Sequence, residues 1–394
     1  MNILVIGNGF DLAHNLPTKY SDFIMFIKNF NNTKDMQKED IKKLSMFNDL
    51  PKAIQEYLLK DEVFYKEQWK EWLIELEDLS KDSLWLQYFI DSVDYNNKGW
   101  IDFESEISKV IVALEYLIDR NKHNIRTNEM DYIKNDEEKN KIINTFFKVW
   151  NMRNSNKGEE AIGSREFYGE SLKDCIDIIQ EELNKLIRCL EIYIGIVIDN
   201  IDIECKLAEI EKLKIDKVIS FNYTNTYERV YQSENNKVEY DYLHGNAELN
   251  RDIKNNNMVL GIDEYLVGKE KDEKLDLIAF KKYFQRIYKK TGCKYKEWLE
   301  STGEFQKRQA HIFLKQGEVF LNNIYFYGHS LDVTDKDILK DLFEFPYTQI
   351  TIFYLDEYDY AQKISNVIKI IGQDKLISEV HGKNPKIVFN EIQK

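Results

Sequence analysis

The chain opens with a short, β-branched apolar run that leads directly into two glycines. The run 3–6 (ILVI) precedes Gly7, Asn8 and Gly9. This pattern is typical of a buried parallel strand entering a phosphate-binding turn, because glycine permits the sharp turn and lets backbone N–H groups approach a pyrophosphate. A tight strand-to-helix turn without a ligand is the alternative. Leu12 occupies the third glycine position of the dinucleotide fingerprint, which disfavours an ordinary hydride-transfer enzyme.

Three later runs have the same character as this first strand. They are short, β-prone and followed by polar or glycine-bearing loops, at 217–221 (KVISF), 323–327 (NIYFY) and 349–355 (QITIFYL). Ligands in open α/β sheets bind beyond the carboxyl ends of the strands. We therefore expect the strands from both ends of the chain to lie in one sheet.

Long stretches between these strands have apolar residues at helical spacing. They extend over 21–213 and again over 275–316. The sequence thus predicts an α/β fold, with a Rossmann-like, mostly parallel sheet and a large helical insertion. In this division, residues 1–20 and 214–394 form a nucleotide-binding core with a helical flank at 275–316, and residues 21–213 form the insertion.

Charge and cysteine content exclude several classes of function. The formal charge of −14 argues against a broad nucleic-acid surface, because non-specific binding to DNA depends on Lys and Arg neutralising phosphates. The four cysteines form no CxxC pair, so we expect neither structural zinc nor a disulfide framework.

The first strand is too short to span a bilayer and lacks the features of a signal peptide. We therefore expect a cytoplasmic protein without membrane association.

Small polar side chains follow the second predicted strand. Asn222, Thr224 and Asn225 lie at its carboxyl end, where open α/β sheets bind ligands. Alternatively, Thr224 or Asn225 only caps a helix that begins near Tyr227.

A third motif, YLHGNAE, places His244 next to Gly245. A histidine titrates near neutrality, and a neighbouring glycine permits close approach, so His244 suits general-base work on a hydroxyl or water. Alternatively, His244 fills a hydrogen-bonded corner of the core.

The fourth motif, YFYGHSLDVTDKDI, follows the strand at 323–327. Gly328, His329 and Ser330 lie directly after this strand, and acidic residues lead from them into a helix. The alternative to a ligand site is helix capping, for which Thr334 or Asp335 is suited.

In their order along the chain, these segments resemble the AbiH family of phage abortive-infection proteins. The resemblance covers most of the chain and is carried by GNGFDLAHNLPTKYSDF, WIDFE (100–104), FNYTNTYE, LHG, VLGID (259–263) and GHSLD.

AbiH proteins are in turn similar to the sirtuin-like NAD-binding superfamily. The sirtuin patterns GAGxSxxxGIP, QNxD, HG and GTSL are similar to the segments 7–17, 221–224, 244–245 and 328–331. Three features depart from the pattern: Asp11 replaces a serine, Thr224 replaces an aspartate, and the zinc-binding cysteine module is absent. These departures disfavour protein deacylation and are compatible with cleavage of the nicotinamide glycosidic bond.

The sirtuin resemblance implies a binding site for NAD and no metal. The pyrophosphate is expected over Gly7 and Gly9, with Gly328 and Ser330 beside the adenosine ribose and Asn222 orienting the nicotinamide ribose. Further expected contacts to the nucleotide come from Asn8, Phe10, Pro17, Thr18 and Thr224.

The same resemblance implies three catalytic residues. His244 is expected to act as the base, Asp11 to stabilise positive charge that develops on the ribose, and Asn222 to hold the ribose in place. Together they predict an NAD glycohydrolase that releases nicotinamide and ADP-ribose.

The implied biology is antiphage defence in bacteria. The alternative to NAD hydrolysis is a non-catalytic module that senses NAD or ADP-ribose and switches a defence partner. A nuclease is disfavoured, because the net charge is unfavourable and no HNH-like or D…ExK arrangement stands out. Expected partners are NAD or a related nucleotide and a phage-derived trigger or defence partner protein. A homo-oligomer is expected if the helical insertion exposes aromatic patches.

Overall fold

Six strands form one all-parallel sheet in the computed structural model of the chain. The structure describes residues 1–33, 36, 38–61, 66–92, 102–122, 142, 146, 170–233, 237–315 and 320–393. The strands are β1 (Asn2–Ile6), β2 (Lys217–Ser220), β3 (Glu239–Tyr242), β4 (Asn322–Tyr327), β5 (Thr348–Tyr354) and β6 (Ile387–Glu391). The α/β fold with a Rossmann-like parallel sheet is therefore confirmed.

The strand order is β3-β2-β1-β4-β5-β6. The first strand lies at the centre, where Ile3 pairs with Lys217 of β2 on one side and with Ile324 of β4 on the other. The expectation that strands from both ends of the chain lie in one sheet is thus confirmed. Since the order reverses between β1 and β4, the carboxyl ends of these two strands form a topological switch point, which is where open α/β sheets bind ligands.

Successive side chains of β1 point to opposite faces of the sheet, and both faces are buried. Ile3 and Val5 are buried in a hydrophobic cluster on one face of the sheet, and Leu4 and Ile6 are buried in a second cluster on the other face. A parallel strand covered on both faces needs a continuous apolar sequence. Full burial of each such side chain contributes about 1.5–3 kcal/mol, which makes β1 a large part of the core.

The chain divides into two compact units, of which the first contains the sheet. This unit comprises residues 1–18, 201–246 and 290–394. Its helices are Asn8–Ala13, Ala208–Glu211, Thr226–Tyr231, Lys294–Lys315, Lys336–Glu344, Glu357–Ile371 and Gln373–Val380, with a 3-10 turn at Val333–Asp335.

The second unit is helical and comprises residues 19–200 and 247–289. Its α-helices are Tyr20–Thr33, Lys38–Ile41, Ser45–Asn48, Lys52–Asp61, Lys70–Lys81, Leu84–Ser92, Phe103–Lys122, Glu170–Ile196, Glu270–Glu273 and Lys282–Lys289. Short 3-10 helices lie at Glu67–Trp69, Ile198–Asn200 and Ile278–Phe280. Among the described helices, none is both long and apolar enough to cross a membrane.

A buried charged network lies inside this helical unit. Arg188 donates two hydrogen bonds to Glu75, from Nε and Nη2 at 2.8 Å each, and one from Nη1 to Glu191 at 2.6 Å. Glu191 also accepts a hydrogen bond from the Asn256 amide at 2.6 Å and one from the backbone N–H of Glu248 at 3.1 Å. The pair of Arg188 and Glu191 thus links the long helix Glu170–Ile196 to the loop that follows residue 247.

Candidate functional site at the sheet switch point

The turn after β1 lies directly against the turn after β4. The backbone N–H of Gly9 donates to the carbonyl of Gly328 at 2.8 Å, and the N–H of Gly7 donates to the carbonyl of Tyr327 at 3.3 Å. The two loops predicted to hold the nucleotide therefore meet at the switch point between β1 and β4.

Backbone contact between these loops explains their glycines. A Cβ atom on Gly9 would lie 2.7 Å from the Cα of Gly328, and one on Gly7 would lie 2.8 Å from the Cα of His329. Gly328 has a φ of +66°, and a Cβ there would lie 2.1 Å from the backbone nitrogen of Phe10. These positions need glycine for packing alone. In addition, the N–H of Phe10 donates to the carbonyl of Gly7 at 2.8 Å, so the N–H groups of Gly9 and Phe10 already have acceptors.

The predicted nucleotide contacts divide into surface and core residues. Asn8 and Ser330 are exposed, and the Thr18 hydroxyl donates to the Asn8 side-chain carbonyl at 2.6 Å. Pro17 is buried. Phe10 is fully buried in a hydrophobic cluster, where its ring meets Tyr327 edge to face at 5.8 Å between ring centroids. Its side chain therefore contributes to the core of the protein.

Asp11 and the loop after β2 form a buried polar cluster. The Thr224 hydroxyl donates to Asp11 Oδ2 at 2.7 Å, and the Thr226 hydroxyl donates to Thr224 Oγ1 at 3.1 Å. The Asn222 amide donates to the carbonyl of Gly7 at 2.9 Å. The side chains after β2 are thus tied to the turn after β1. Asn225 is the residue before the helix Thr226–Tyr231, but neither its side chain nor that of Thr224 caps this helix.

Burial controls the charge of Asp11. Removal from water raises the pKa of this carboxyl to about 6, although Thr224, Thr226, Asn222 and the charge of Arg229 each favour the ionised form. The second oxygen, Oδ1, is buried and accepts no hydrogen bond from any described residue. Asp11 is therefore a carboxylate at neutral pH with one oxygen left without a hydrogen-bond donor, an arrangement that is costly in a folded protein.

His244 lies in contact with an aspartate from a distant loop. Its Nε2 is 3.2 Å from Asp335 Oδ1, and both side chains are buried. His329 lies on the other side of this carboxylate, with its Nε2 3.9 Å from Asp335 Oδ2. The ring of Phe221 packs against both histidine rings, with centroid distances of 5.5 and 4.1 Å. The structure thus brings the motifs after β3 and β4 together around Asp335.

His14, within the first motif, has a structural role. Its Nδ1 lies 2.8 Å from the carbonyl of Phe10, and its Nε2 lies 2.9 Å from the hydroxyl of Tyr231. This hydroxyl accepts a hydrogen bond from the backbone N–H of Leu207 at 2.7 Å, so its own proton is directed to His14. Burial lowers the pKa of His14, so the ring is neutral and ties the first helix to its neighbours.

Two further segments of the resemblance lie in the helical unit. Residues 100 and 101 of WIDFE are outside the described residues, and Asp102 accepts a hydrogen bond from the backbone N–H of Glu104 at 3.0 Å at the start of a helix. In VLGID, a Cβ on Gly261 would lie 2.8 Å from the carbonyl oxygen of Phe280. Both segments have packing and capping roles within their own unit.

Asp335 is the main site residue that the sequence did not identify. It immediately precedes the helix Lys336–Glu344, as expected for a cap, but its side chain makes no capping hydrogen bond. The capping side chain in this loop is Asp332, which accepts from the backbone N–H of Thr334 at 3.1 Å. Among the described residues, no cluster of three or more His, Cys, Asp or Glu side chains has a geometry that could hold a metal ion.

The comparison with protein families gives one match. A family model described as "Bacteriophage abortive infection AbiH" matches residues 3–356, which include every loop of the candidate site. No curated protein and no solved structure matches the chain.

Proposed function

The chain belongs to the AbiH family of bacteriophage abortive infection proteins, and from this premise we propose that it binds NAD at the switch point and hydrolyses it to nicotinamide and ADP-ribose. The output of such a reaction, loss of NAD, would stop growth of an infected cell.

The state of Asp11 is the observation that carries this proposal. It is a fully buried carboxylate at the carboxyl end of the central strand, ionised above about pH 6, and its Oδ1 has no hydrogen-bond donor among the described residues. Arg229, the cation that favours its charge, donates to the carbonyl of Ile201 at 2.7 Å. Such a group favours a positively charged ligand. The nicotinamide ring of NAD is cationic, and positive charge passes to the ribose as the glycosidic bond breaks.

The contact between Asp11 and Thr224 also supports a sirtuin-like site. The sirtuin pattern has a serine at the position of Asp11 and an aspartate at the position of Thr224. In this chain the two departures are hydrogen-bonded to each other at 2.7 Å. The exchange therefore keeps one hydroxyl and one carboxylate in contact, with the carboxylate moved from the loop after β2 to the helix Asn8–Ala13.

The expected pyrophosphate site has fewer backbone donors than the glycine turn suggests. The N–H groups of Gly9 and Phe10 are already bonded within the turn. The polar side chains of Asn8, Thr18 and Ser330 reach the surface at the two loops and are available to phosphate and ribose oxygens. We assign the pyrophosphate to these side chains.

In the proposed reaction, the glycosidic bond breaks and its electron pair leaves with neutral nicotinamide. Asn222, held by its amide contact with Gly7, would orient the ribose, and Asp11 would stabilise the positive charge on the sugar. A water molecule would bond to the anomeric carbon as His244 takes its proton. The products are then ADP-ribose, nicotinamide and one proton, which balances the hydrolysis.

Burial of the three catalytic candidates favours sensing as the second function. Asp11, Asn222 and His244 have only 1%, 6% and 5% of their surface exposed. A substrate can contact the buried Oδ1 of Asp11 only after neighbouring side chains move. A module that binds NAD or ADP-ribose at the exposed Asn8 and Ser330, without cleavage, requires no such movement.

Nicotinamide release separates these two functions. The purified full chain is incubated with NAD, release is followed by chromatography, and binding is measured by calorimetry. If the protein hydrolyses NAD, Asn222→Ala and His244→Ala should each lower the release rate by about a hundredfold or more while retaining much of the affinity. His381→Ala, at an exposed histidine, is the matched control and should be unchanged.

The outcomes of this experiment are distinct. Binding without release in the wild-type protein would replace hydrolysis by sensing. Neither binding nor release would remove NAD as the ligand.

A further inference from the structure

We propose that Asp335 is a positioning residue that holds the His244 ring with its proton on Nε2, so that Nδ1 is the atom that accepts a proton during catalysis. The role of Nδ1 rests on the proposed NAD hydrolysis. The position of the proton rests on contacts within the protein alone.

The first step of the argument is the contact between the two side chains. Nε2 of His244 lies 3.2 Å from Asp335 Oδ1. A carboxylate can only accept hydrogen bonds, so Nε2 must be the donor. In the neutral ring the other nitrogen then carries a lone pair, which is the condition for a general base. When Nδ1 takes a proton, the carboxylate stabilises the imidazolium that forms, as in an Asp-His pair of a hydrolase.

The second step is that the side chain of Asp335, which accepts a hydrogen bond from the Thr334 hydroxyl at 3.4 Å, does not cap the helix that it precedes. A residue that directly precedes a helix commonly caps it, but the side chain of Asp335 makes no capping hydrogen bond, and Asp332 caps the preceding 3-10 turn instead. The carboxylate is buried and directed to the two histidines. Burial of an aspartate has a high cost in free energy unless it is compensated, and contact with an imidazole N–H supplies such compensation.

The third step concerns His329, the other histidine near this carboxylate. Its Nδ1 accepts a hydrogen bond from the backbone N–H of Leu331 at 2.9 Å. A nitrogen that accepts cannot carry a proton, so the proton of His329 is on Nε2, the atom that faces Asp335. A second proton on His329 would break its bond to Leu331. The two histidines therefore face different oxygens of Asp335, His329 facing Oδ2 and His244 facing Oδ1.

The fourth step is that the local backbone and Phe221 hold this arrangement in place. Leu331, fully buried, has a φ of +56°, a left-handed conformation that is unfavourable for a residue with a side chain. This conformation presents its N–H to His329. The ring of Phe221 packs against both imidazoles, and the next residue, Asn222, is the proposed ribose ligand. The histidine pair is thus fixed relative to the strand end that would hold the sugar.

A measurement of the His244 tautomer tests the proposal without using activity. The full chain, labelled with 15N in its six histidines, is studied by long-range 15N–1H correlation, and His244 is assigned from its backbone connectivity. In the wild-type protein, His244 should show the Nε2–H form at a pH where the ring is neutral. Detection of the Nδ1–H form would overturn the proposal, and this result needs no variant to fold.

Asp335→Asn then tests the role of the carboxylate. An asparagine amide can donate to Nε2, which would shift His244 towards the Nδ1–H form, and kcat for nicotinamide release should fall by about a hundredfold or more with little change in KM. Asp332→Asn is the matched control in the same loop, because asparagine caps as well as aspartate and this side chain caps a backbone N–H.

The outcomes separate this proposal from the proposed function. A folded Asp335→Asn protein with an unchanged tautomer or a wild-type kcat would contradict the role of Asp335. A wild-type protein that shows the Nε2–H form but releases no nicotinamide would overturn hydrolysis, and with it the catalytic role of Nδ1, while the tautomer assignment would stand.

Discussion

The wild-type sheet unit should lose stability as the pH rises and Asp11 ionises, and replacement of Asp11 by asparagine should abolish this loss. Burial raises the pKa of this carboxyl from 3.8 to about 6 in the folded protein. A carboxyl with a raised pKa contributes stability that is fully present below its unfolded pKa and is lost as the pH rises through its folded pKa. A rise of about two units corresponds to about 3 kcal/mol in total, lost largely between about pH 4 and about pH 6.

Asparagine is suited to this test because its side-chain carbonyl can still accept the hydrogen bond from Thr224. The free energy of unfolding of Asp11→Asn minus that of the wild type should therefore increase by about 2 kcal/mol from about pH 4.5 to about pH 7.5. Urea unfolding is followed by hydrogen exchange of peptides from β1, so that the sheet unit is observed by itself. Asp374→Asn, at an exposed carboxyl, is the control. A difference between Asp11→Asn and wild type that stays constant over this pH range would refute the assigned burial cost.

Two further substitutions test the packing of each unit. Gly9→Val should destabilise the sheet unit by about 1–3 kcal/mol or more even without nucleotide, because a Cβ would lie 2.7 Å from the Cα of Gly328; a wild-type melting temperature would contradict this backbone contact. Arg188→Met should cost about 3–5 kcal/mol in thermal or urea unfolding, since it removes the arginine that is hydrogen-bonded to the fully buried Glu191, whereas Arg308→Met on the surface should change little. An equal change in the free energy of unfolding for the two arginine substitutions would show that the buried ion pair contributes no more to stability than the exposed one.

Local sequence pattern was sufficient to predict the centre of the fold. The strands at 217–221, 323–327 and 349–355 were identified because central parallel strands need apolar residues on both faces, and each correspondingly forms β2, β4 or β5. The outer strands β3 and β6 were not predicted. They lie at the edges of the sheet and are partly exposed, so EYDY and IVFNE lack a continuous apolar signal.

The polar contacts of the site were less predictable, because they depend on residues far apart in the chain. Asp11 and Thr224 are 213 positions apart, and His244 and Asp335 are 91 apart. The sequence offers helix capping by Thr334 or Asp335 as the alternative to a ligand site, since an acidic residue before a helix is the usual local signal for a cap. The parallel sheet places the carboxyl ends of β3 and β4 at the same edge although β2 and β1 lie between them, and no local pattern contains that information.

The burial of Asp11 bears on both proposed functions, hydrolysis and sensing, because a ligand can contact the buried Oδ1 of this carboxylate only after neighbouring side chains move. Among the described residues, none donates a hydrogen bond to Oδ1 of the ionised Asp11, which lowers the stability of the folded protein at neutral pH. This cost is relieved when a cation or water reaches the carboxylate. A ligand that brings positive charge to Asp11 therefore binds more tightly to a conformation in which it can contact this carboxylate. Such a difference in affinity between two conformations is what allows a ligand to shift their equilibrium. NAD, with its cationic nicotinamide, meets this requirement, whereas ADP-ribose lacks the cation. The affinity for NAD relative to ADP-ribose should consequently decrease in Asp11→Asn, and an unchanged ratio in calorimetric titrations would show that the nicotinamide ring does not reach Asp11.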